Sequence, residues 1–461
     1  MGGQGSKVEE CSSKYEAVFN AAEKAELGRV FNVICSGDGH TNVKTAFGLK
    51  CLQDYIGDRL SDKIITRLHA EMCNMLSSSS EKHSIVTMEM FTITMAFLLK
   101  GTIEEQSCII HHLATENNDS VSSQDMYEFV SDIIHYVEDA LQPIIEAKHW
   151  QLKTTPESND RFARYLVKDL FWKDVSVTTD LPDKSYSPDD IQIWLESKPH
   201  FAEVFTEVFR YAFKFQMAKS VVTASTDAYQ SVDIFPLCQD VKFIWNKLQT
   251  LLDIPSMLML NQHLPGKLKT EWRLLFSTRL HGESFATFLQ HITLKGPTII
   301  LVKDHDGHMF GGFASEEWKT QAQFYGNATS FLFSLYPTME VYESSGRNGH
   351  YMYINLNQQT LPNGLGMGGQ LNYFGLWIDA NFGKGSSKAK PRCTTYDSPQ
   401  LSKQENFQVD VVEVWHVGPI QVISEDEDKP SILDADPEAA AILELIGKER
   451  KSEGLREKDP S

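Results

Sequence analysis

The chain has 461 residues, with 43 Lys and Arg against 62 Asp and Glu, for a formal net charge of −19. This length allows about three domains and a sizeable core, and the acidic balance argues against a nucleic-acid partner, whose phosphates call for clustered cations. Seven cysteines without a Cys-x-x-Cys pair fit free thiols in a reducing compartment better than a disulfide framework or a zinc site. No window approaches about 18 continuous apolar residues, so no spanning helix is expected.

At the N-terminus, Met1-Gly2-Gly3-Gln4-Gly5-Ser6-Lys7 matches the N-myristoylation pattern, with Gly2 as acceptor after removal of Met1 and Ser6 at the favoured position. The polar start carries no secretory signal, so the chain is expected to face the cytosol. Residues 1–14 read as a disordered, lipidated N-terminus. One myristoyl chain holds a protein only marginally, with an association constant of about 10⁴ M⁻¹, so a second contact is required. Lys7 and Lys14 are too few for a polybasic patch and Glu9-Glu10 oppose one. Cys11 as a palmitoyl acceptor, or a protein partner, would supply it.

Residues 15–135 read as helical. Ala17, Val18, Ala21, Ala22 and Ala25 keep helical spacing, as do Ile64, Ile65, Leu68 and Met72. Helix, short polar loop and helix recur around Ser36–Thr45, Ser77–Ser84 and Glu116–Ser123, a rhythm that resembles EF-hand pairs. A calcium loop needs alternating oxygen ligands, a central Gly and a closing Glu. Ser36–Val43 offers Asp38 but no closing Glu, Ser77–Glu89 supplies mostly hydroxyls, and Ala114–Val121 lacks the Gly. The expectation is an EF-hand-like domain without competent calcium loops, and no cofactor.

Residues 136–230 read as a helical bridge. The polar stretch Thr154–Asp160 marks a loop, Arg161–Trp172 a helix, and Ser187 an N-cap followed by Pro188 and the acids Asp189 and Asp190. Phe201, Val204, Phe205, Val208, Phe209, Ala212 and Phe213 form a stripe at helical spacing, which reads as core. A short helix capped by Ser256, with Met257–Gln262 as its body, then leads into the next region.

Residues 231–418 read as β-rich. Thr298–Val302 is a short β-branched run bounded by Gly296-Pro297 and Asp304, and Asp306-Gly307 is a hairpin turn signal. Further runs at Phe331–Leu335, Tyr351–Leu356 and Gly375–Asp379 predict two sheets on one core, a β-sandwich. Gly364-Leu365-Gly366-Met367-Gly368-Gly369 spells a dinucleotide fingerprint, but a strand rather than a helix follows it, so it reads as a glycine loop that lets strands approach closely. Asp304-His305-Asp306-Gly307-His308 has metal-ligand residue types, yet neighbouring strand positions face opposite ways and the turn explains it. His281, Glu283 and Ser284 invite a hydrolase reading that is declined. Cys393, beside Lys390 and Arg392, is a candidate reactive thiol because nearby cations favour thiolate.

Residues 419–436 form an acidic linker, Ser424–Pro430 at its centre. Residues 437–451 read as a helix opened by Asp436-Pro437-Glu438, with Ile442, Leu443, Leu445 and Ile446 grouped on one side as a partner-binding face. Residues 452–461 are read as a disordered tail. The fold class expected overall is α+β: an all-helical EF-hand-like region and bridge, a C-terminal sandwich, and a single last helix.

The blocks Glu271–Ser277, His281–Phe285, Lys295–Asp304, Phe310–Ser315, Phe331–Leu335, Gly375–Asp379 and Val412–Trp415, in that order, resemble the TLDc domain of the oxidation-resistance and TLD-domain proteins. Asn363–Gln370, Ser431–Glu438 and the myristoylatable Gly2 narrow the resemblance to the lysosomal member of that family, nearly end to end. The resemblance implies a non-enzymatic adaptor on the cytoplasmic face of the lysosomal membrane. It further implies support of mTOR signalling with the mTOR kinase complex, and binding to the vacuolar proton-pumping ATPase through the TLDc domain. A redox-protective, oxidation-resistance role is the rival expectation, and a calcium sensor a third.

Overall fold

In the computed structural model, residues 18–36, 45–75, 84–115, 120–171, 181–215, 234–239, 245 and 248–419 are described below. They all belong to one unit, Met1–Pro419; a second unit, Ile420–Ser461, lies outside the described residues. The expected linker, C-terminal helix and tail fall there.

The helical half is built from helix–loop–helix units joined in pairs. Helices α1 (Ala21–Ser36), α2 (Leu49–Ile56), α3 (Asp62–Asn74) and α4 (Met88–Lys100) form the first pair. Strands β1 (Ala46–Phe47) and β2 (Val86–Thr87) tie it with a two-residue antiparallel ladder, Ala46 opposite Thr87. Side chains that prefer to accept from the first turn start these helices: Ser61 accepts from Ile64 N–H, and Thr87 from Met90 N–H. Ile64, Ile65, Leu68 and Met72 all point into the core. In α1 Ala21, Ala22 and Ala25 are solvent-exposed, while Leu27, Val30, Phe31 and Ile34 are buried, because larger side chains offer more apolar area to the core.

The second pair crosses the boundary expected between 135 and 136. Helices α5 (Ile103–Ala114) and α6 (Ser123–His135) are followed by α7 (Val137–Ala147), α8 (Pro156–Phe171) and α9 (Pro188–Ser197). Strand β3 (Val121–Ser122) pairs with β4 (Ser185–Tyr186), so α8 and α9 complete the pair within the segment read as a bridge. Sequence spacing concealed this, since α7 and a long connection separate the two halves of the pair. Ser187 caps α9 in a capping box with Asp190, as its sequence predicts. The aromatic stripe lies on α10 (Pro199–Ala212) and is buried throughout. It is fastened to the first pair by Tyr55 Oη donating to the Phe213 carbonyl at 2.6 Å.

A parallel pairing of β5 (Leu237–Cys238) with β6 (Glu271–Ser277) connects this half to the sheet. Between them, α11 (Ile254–His263) is capped by Asp253, not Ser256; Ser256 donates its backbone N–H to the Asp253 carboxylate at 2.8 Å. Pro255 near the helix start moves the cap upstream of the serine. Two short helices follow, α12 (Thr278–His281) and α13 (Phe285–Ile292).

The β-region is antiparallel apart from β5. It comprises β7 (Thr298–Asp304), β8 (Met309–Ala314), β9 (Phe331–Tyr336), β10 (Glu340–Tyr342), β11 (Met352–Asn355), β12 (Gly364–Gln370), β13 (Tyr373–Asp379), β14 (Lys384–Ser386) and β15 (Asn406–Val417). Strand order runs β10-β9-β8-β7-β15-β14-β13-β12-β11, with β6 also on β15. The long strand β15 pairs with β14 through its first residues and with β7 and β6 through the rest. The sheet therefore turns at β15, leaving two limbs that end at β10 and β11 and share one apolar core. Ile300, Val302 and Leu332 from one limb meet Ile354, Leu365, Met367, Leu376 and Ile378 from the other in one apolar cluster.

The other face of the first limb, with Ile299, Leu301, Phe313, Phe333 and Trp415, belongs to the core of the helical half. This explains why Thr298–Val302 is continuously apolar rather than alternating: both faces of the strand are covered. The chain is thus α+β, with helices N-terminal and the antiparallel sheet C-terminal.

Candidate interaction surface

The residues expected to contact membrane and partner, Gly2 and Ile442, Leu443, Leu445 and Ile446, lie outside the described residues. So do most positions of the three candidate calcium loops. Among the described residues no group of three or more His, Cys, Asp or Glu side chains could hold a metal, and no helix is long and apolar enough to cross a membrane.

The chemically suggestive motifs are occupied by structure. Asp304 is buried; its carboxylate accepts from His308 N–H at 2.8 Å and from Ser402 Oγ at 2.6 Å, so it braces the β7–β8 hairpin, where Gly307 takes a φ of 86°. Ser284 caps α13 by accepting from Thr287 N–H, while His281 Nδ1 accepts from Ser277 N–H at 3.1 Å. His281 stacks on Phe276 and lies 4.2 Å from the His291 ring, and burial followed by His291 holds it below the usual histidine range. Serine and histidine serve separate backbone groups, so no proton relay links them.

Gly364–Gly369 is itself strand β12, not a loop. A Cβ on Gly366 would meet the Phe374 ring at 2.5 Å, and Gly369, at φ 82°, lies against the Tyr373 carbonyl. The glycines bring β12 and β13 close enough for Tyr353, Phe374 and Trp377 to form an aromatic cluster on the limb's outer face. Cys393, the thiol expected to be reactive beside Lys390 and Arg392, is buried under the same hairpin, 2.8 Å from the Cβ position of Gly368. Cys108 is exposed instead. On brief treatment of the native protein with iodoacetamide, mass spectrometry is expected to find Cys108 alkylated and Cys393 spared until denaturant is added. Equal labelling of both would contradict this burial.

Three features were not legible in the sequence. The first welds the two halves together. Trp150, from the helical half, lies 5.2 Å from Trp415, 5.7 Å from Trp245 and 6.1 Å from Trp272, ring centre to ring centre. Beside them Glu413 is fully buried; its carboxylate accepts from Thr250 Oγ1 at 2.8 Å and Leu251 N–H at 3.1 Å. Burial raises the Glu413 pKa, against these bonds. A tryptophan in each of four separate segments gives no sequence pattern.

The second feature is a cavity of about 390 Å³ in the helical half, lined by Lys63, Tyr127, Glu128, Asp132 and Asp160 among others. Its carboxylates are engaged: Glu128 with Lys63 at 2.6 Å, Asp132 with Ser61 at 3.0 Å, and Asp160 with Tyr127 and Arg164. The third is an open groove of about 580 Å³ on the outer limb, lined by Phe324, His350, Gln370 and Leu371 among others. There Phe324 stacks on His350 at 4.3 Å, and His350 Nδ1 lies 2.7 Å from the Gly369 carbonyl. None of these three features assembles a nucleophile, base and oxyanion site.

Comparison with known proteins agrees with this arrangement. The family model described as TLDc domain matches residues 245–418, which begins at the tryptophan weld and ends with β15. The chain is 41% identical over 452 residues to MTOR-associated protein MEAK7 of Gallus gallus, covering 95% of each. It is 40% identical over 447 residues to the protein of that name from Homo sapiens, covering 95% of this chain and 96% of the other. A shorter match, 33% over 162 residues, is to oxidation resistance protein 1 of Bos taurus, of which it covers 18%. The similarity runs through both the helical half and the sheet, and the chain therefore belongs to the MEAK7 family of TLDc-domain proteins.

Proposed function

We propose that the protein is a non-enzymatic adaptor on the cytoplasmic face of the lysosomal membrane, acting with the mTOR kinase complex. The observation that carries this reading is the match along 95% of the chain to relatives named as mTOR-associated. Myristate on Gly2 supplies a reversible membrane hold. The TLDc domain docks on the vacuolar proton-pumping ATPase, and the segment carrying Ile442, Leu443, Leu445 and Ile446 adds a second grip. Two weak attachments raise effective concentration without either being tight.

Affinity capture from lysosomal membranes tests this, comparing the intact chain, Gly2→Ala and a chain ending at Lys429. Proton-pump subunits and mTOR components are expected with the intact chain, and pump recovery should fall with either change. Absence of both sets of proteins from the intact capture would defeat the adaptor reading. The match to oxidation resistance protein 1 favours a second reading, redox protection. Peroxide turnover by the purified protein, lost on cysteine substitution, would establish that reading instead.

A further inference from the structure

Among the described residues the acidic chain carries a locally basic rim. From Lys384 to Arg392 the sequence has Lys384, Lys388, Lys390 and Arg392 and no carboxylate. In the fold Lys388 and Lys390 share Glu405, at 3.8 and 2.9 Å, while Arg347 and Arg392 share Asp397, at 3.8 and 3.7 Å. Two cations on each carboxylate leave two positive charges uncompensated. Three of the four cations are outward, the side chains of Lys390, Arg347 and Arg392 being 72%, 65% and 50% exposed, while Lys388 is 26% exposed.

The same rim holds an apolar tip. Strands β12 and β13 are joined by Leu371 and Asn372, with Asn372 at φ 64°, and the turn leaves Leu371 exposed. Lys388 Nζ donates to the Asn372 carbonyl at 3.1 Å, so the cations begin at the tip itself. Leu371 also lines the groove that holds Phe324 and His350.

We propose that this end of the TLDc sheet is a docking surface for an anionic phospholipid bilayer, with Leu371 entering the headgroup boundary and Lys388, Lys390, Arg392 and Arg347 facing the phosphates. Cations near an anionic leaflet each add about 1 kcal/mol of attraction, which falls off within a Debye length. The four cations gather in two pairs, on Glu405 and on Asp397, instead of converging on one point, which matches several headgroups better than a single phosphate. An apolar residue at the tip has nothing to gain from a purely acidic peptide but is stabilised at the bilayer interface. The proposal rests on the membrane-adaptor reading for its purpose, and provides the second contact that a lone myristoyl chain requires.

Vesicle flotation of the full chain carrying Gly2→Ala tests it without any acyl contribution. Phosphatidylcholine vesicles are used with and without phosphatidylserine. Binding is expected only with phosphatidylserine and should weaken as salt rises. It should fall on the order of tenfold or more on adding Arg347→Glu and Lys390→Glu, at an unchanged thermal midpoint. Leu371→Ser, which leaves every charge in place, should also weaken it. Equal partition onto neutral and anionic vesicles, or indifference to the charge reversals, overturns the proposal. Binding to poly-glutamate that depends on the cations but not on Leu371, with no vesicle binding, would assign the rim to an acidic protein and also overturn it. Because the acyl chain is absent from every arm, failure here is separate from failure of lysosomal capture by the intact protein.

Discussion

Replacing Trp415 by alanine is expected to destabilise the protein by about 3–5 kcal/mol, the range for truncating a large buried aromatic. Trp415 is fully buried on β15, opposite Ile299 of β7 and Leu274 of β6. Its ring is within 5.2 Å of Trp150 and 6.5 Å of both Trp245 and Trp272. Backbone pairing leaves the strand in place, so the loss is a cavity where the two halves meet. Trp150→Ala should open the same cavity from the helical side. The double variant is then expected to cost less than the two single costs added, with a coupling of about 0.5–3 kcal/mol. Urea denaturation followed by circular dichroism measures all three. Additive costs would mean that the rings adjoin without sharing a contact. If the weld makes the halves unfold together, either single variant should also split a single transition into two.

Acidification should destabilise the fold, with His200 the largest single contributor. His200 is buried at the start of α10, its Nδ1 3.2 Å from the Leu258 carbonyl and its Nε2 without a partner. Burial lowers its pKa from 6.5 to about 4, against the bond to Leu258. Above the unfolded value both states are neutral and stability is full. As the pH falls below it, the unfolded chain takes up a proton that the native state refuses, and by about pH 4 the accumulated loss is about 3 kcal/mol.

Burial also lowers the pKa of His69, His111 and His416, so they act in the same sense. His112 runs the other way: its bond to Glu71, at 2.9 Å, raises its pKa and stabilises the fold at low pH, a contribution lost as the pH rises through the raised value. His200→Asn retains a donor for the Leu258 carbonyl and removes the titration. Urea midpoints at pH 7 and pH 4.5 should therefore converge in this variant relative to the parent. Equal pH dependence in the two proteins would show that His200 does not carry the effect.

Much of this protein could be read directly from residue order. Periodicity marks a core helix at Ile64, Ile65, Leu68 and Met72 and another at Phe201–Phe213, since burying an apolar stripe requires a repeat close to 3.6 residues. Ser187-Pro188 and Asp306-Gly307 announce a cap and a turn because their chemistry is local. The α+β class was legible for the same reason, since the strand runs and turn signals are local, whereas the TLDc assignment came from the resemblance of the ordered blocks to that family.

Tertiary structure alone decided which distant segments share a surface. The β3–β4 ladder spans more than sixty positions between its partners, Val121 and Tyr186, and no local pattern encodes that pairing. Asp253 displaced Ser256 as the cap of α11 because backbone geometry, not residue type, chooses between neighbouring acceptors. Cys393 sits among cations in the sequence yet is covered in space, since the glycines of β12 leave room for its sulfur. The tryptophan weld, the buried Glu413 and the basic rim around Leu371 each draw on segments far apart in the chain. Sequence order sets what a residue can do, and the packing of remote segments sets whether it meets solvent, a partner or the core.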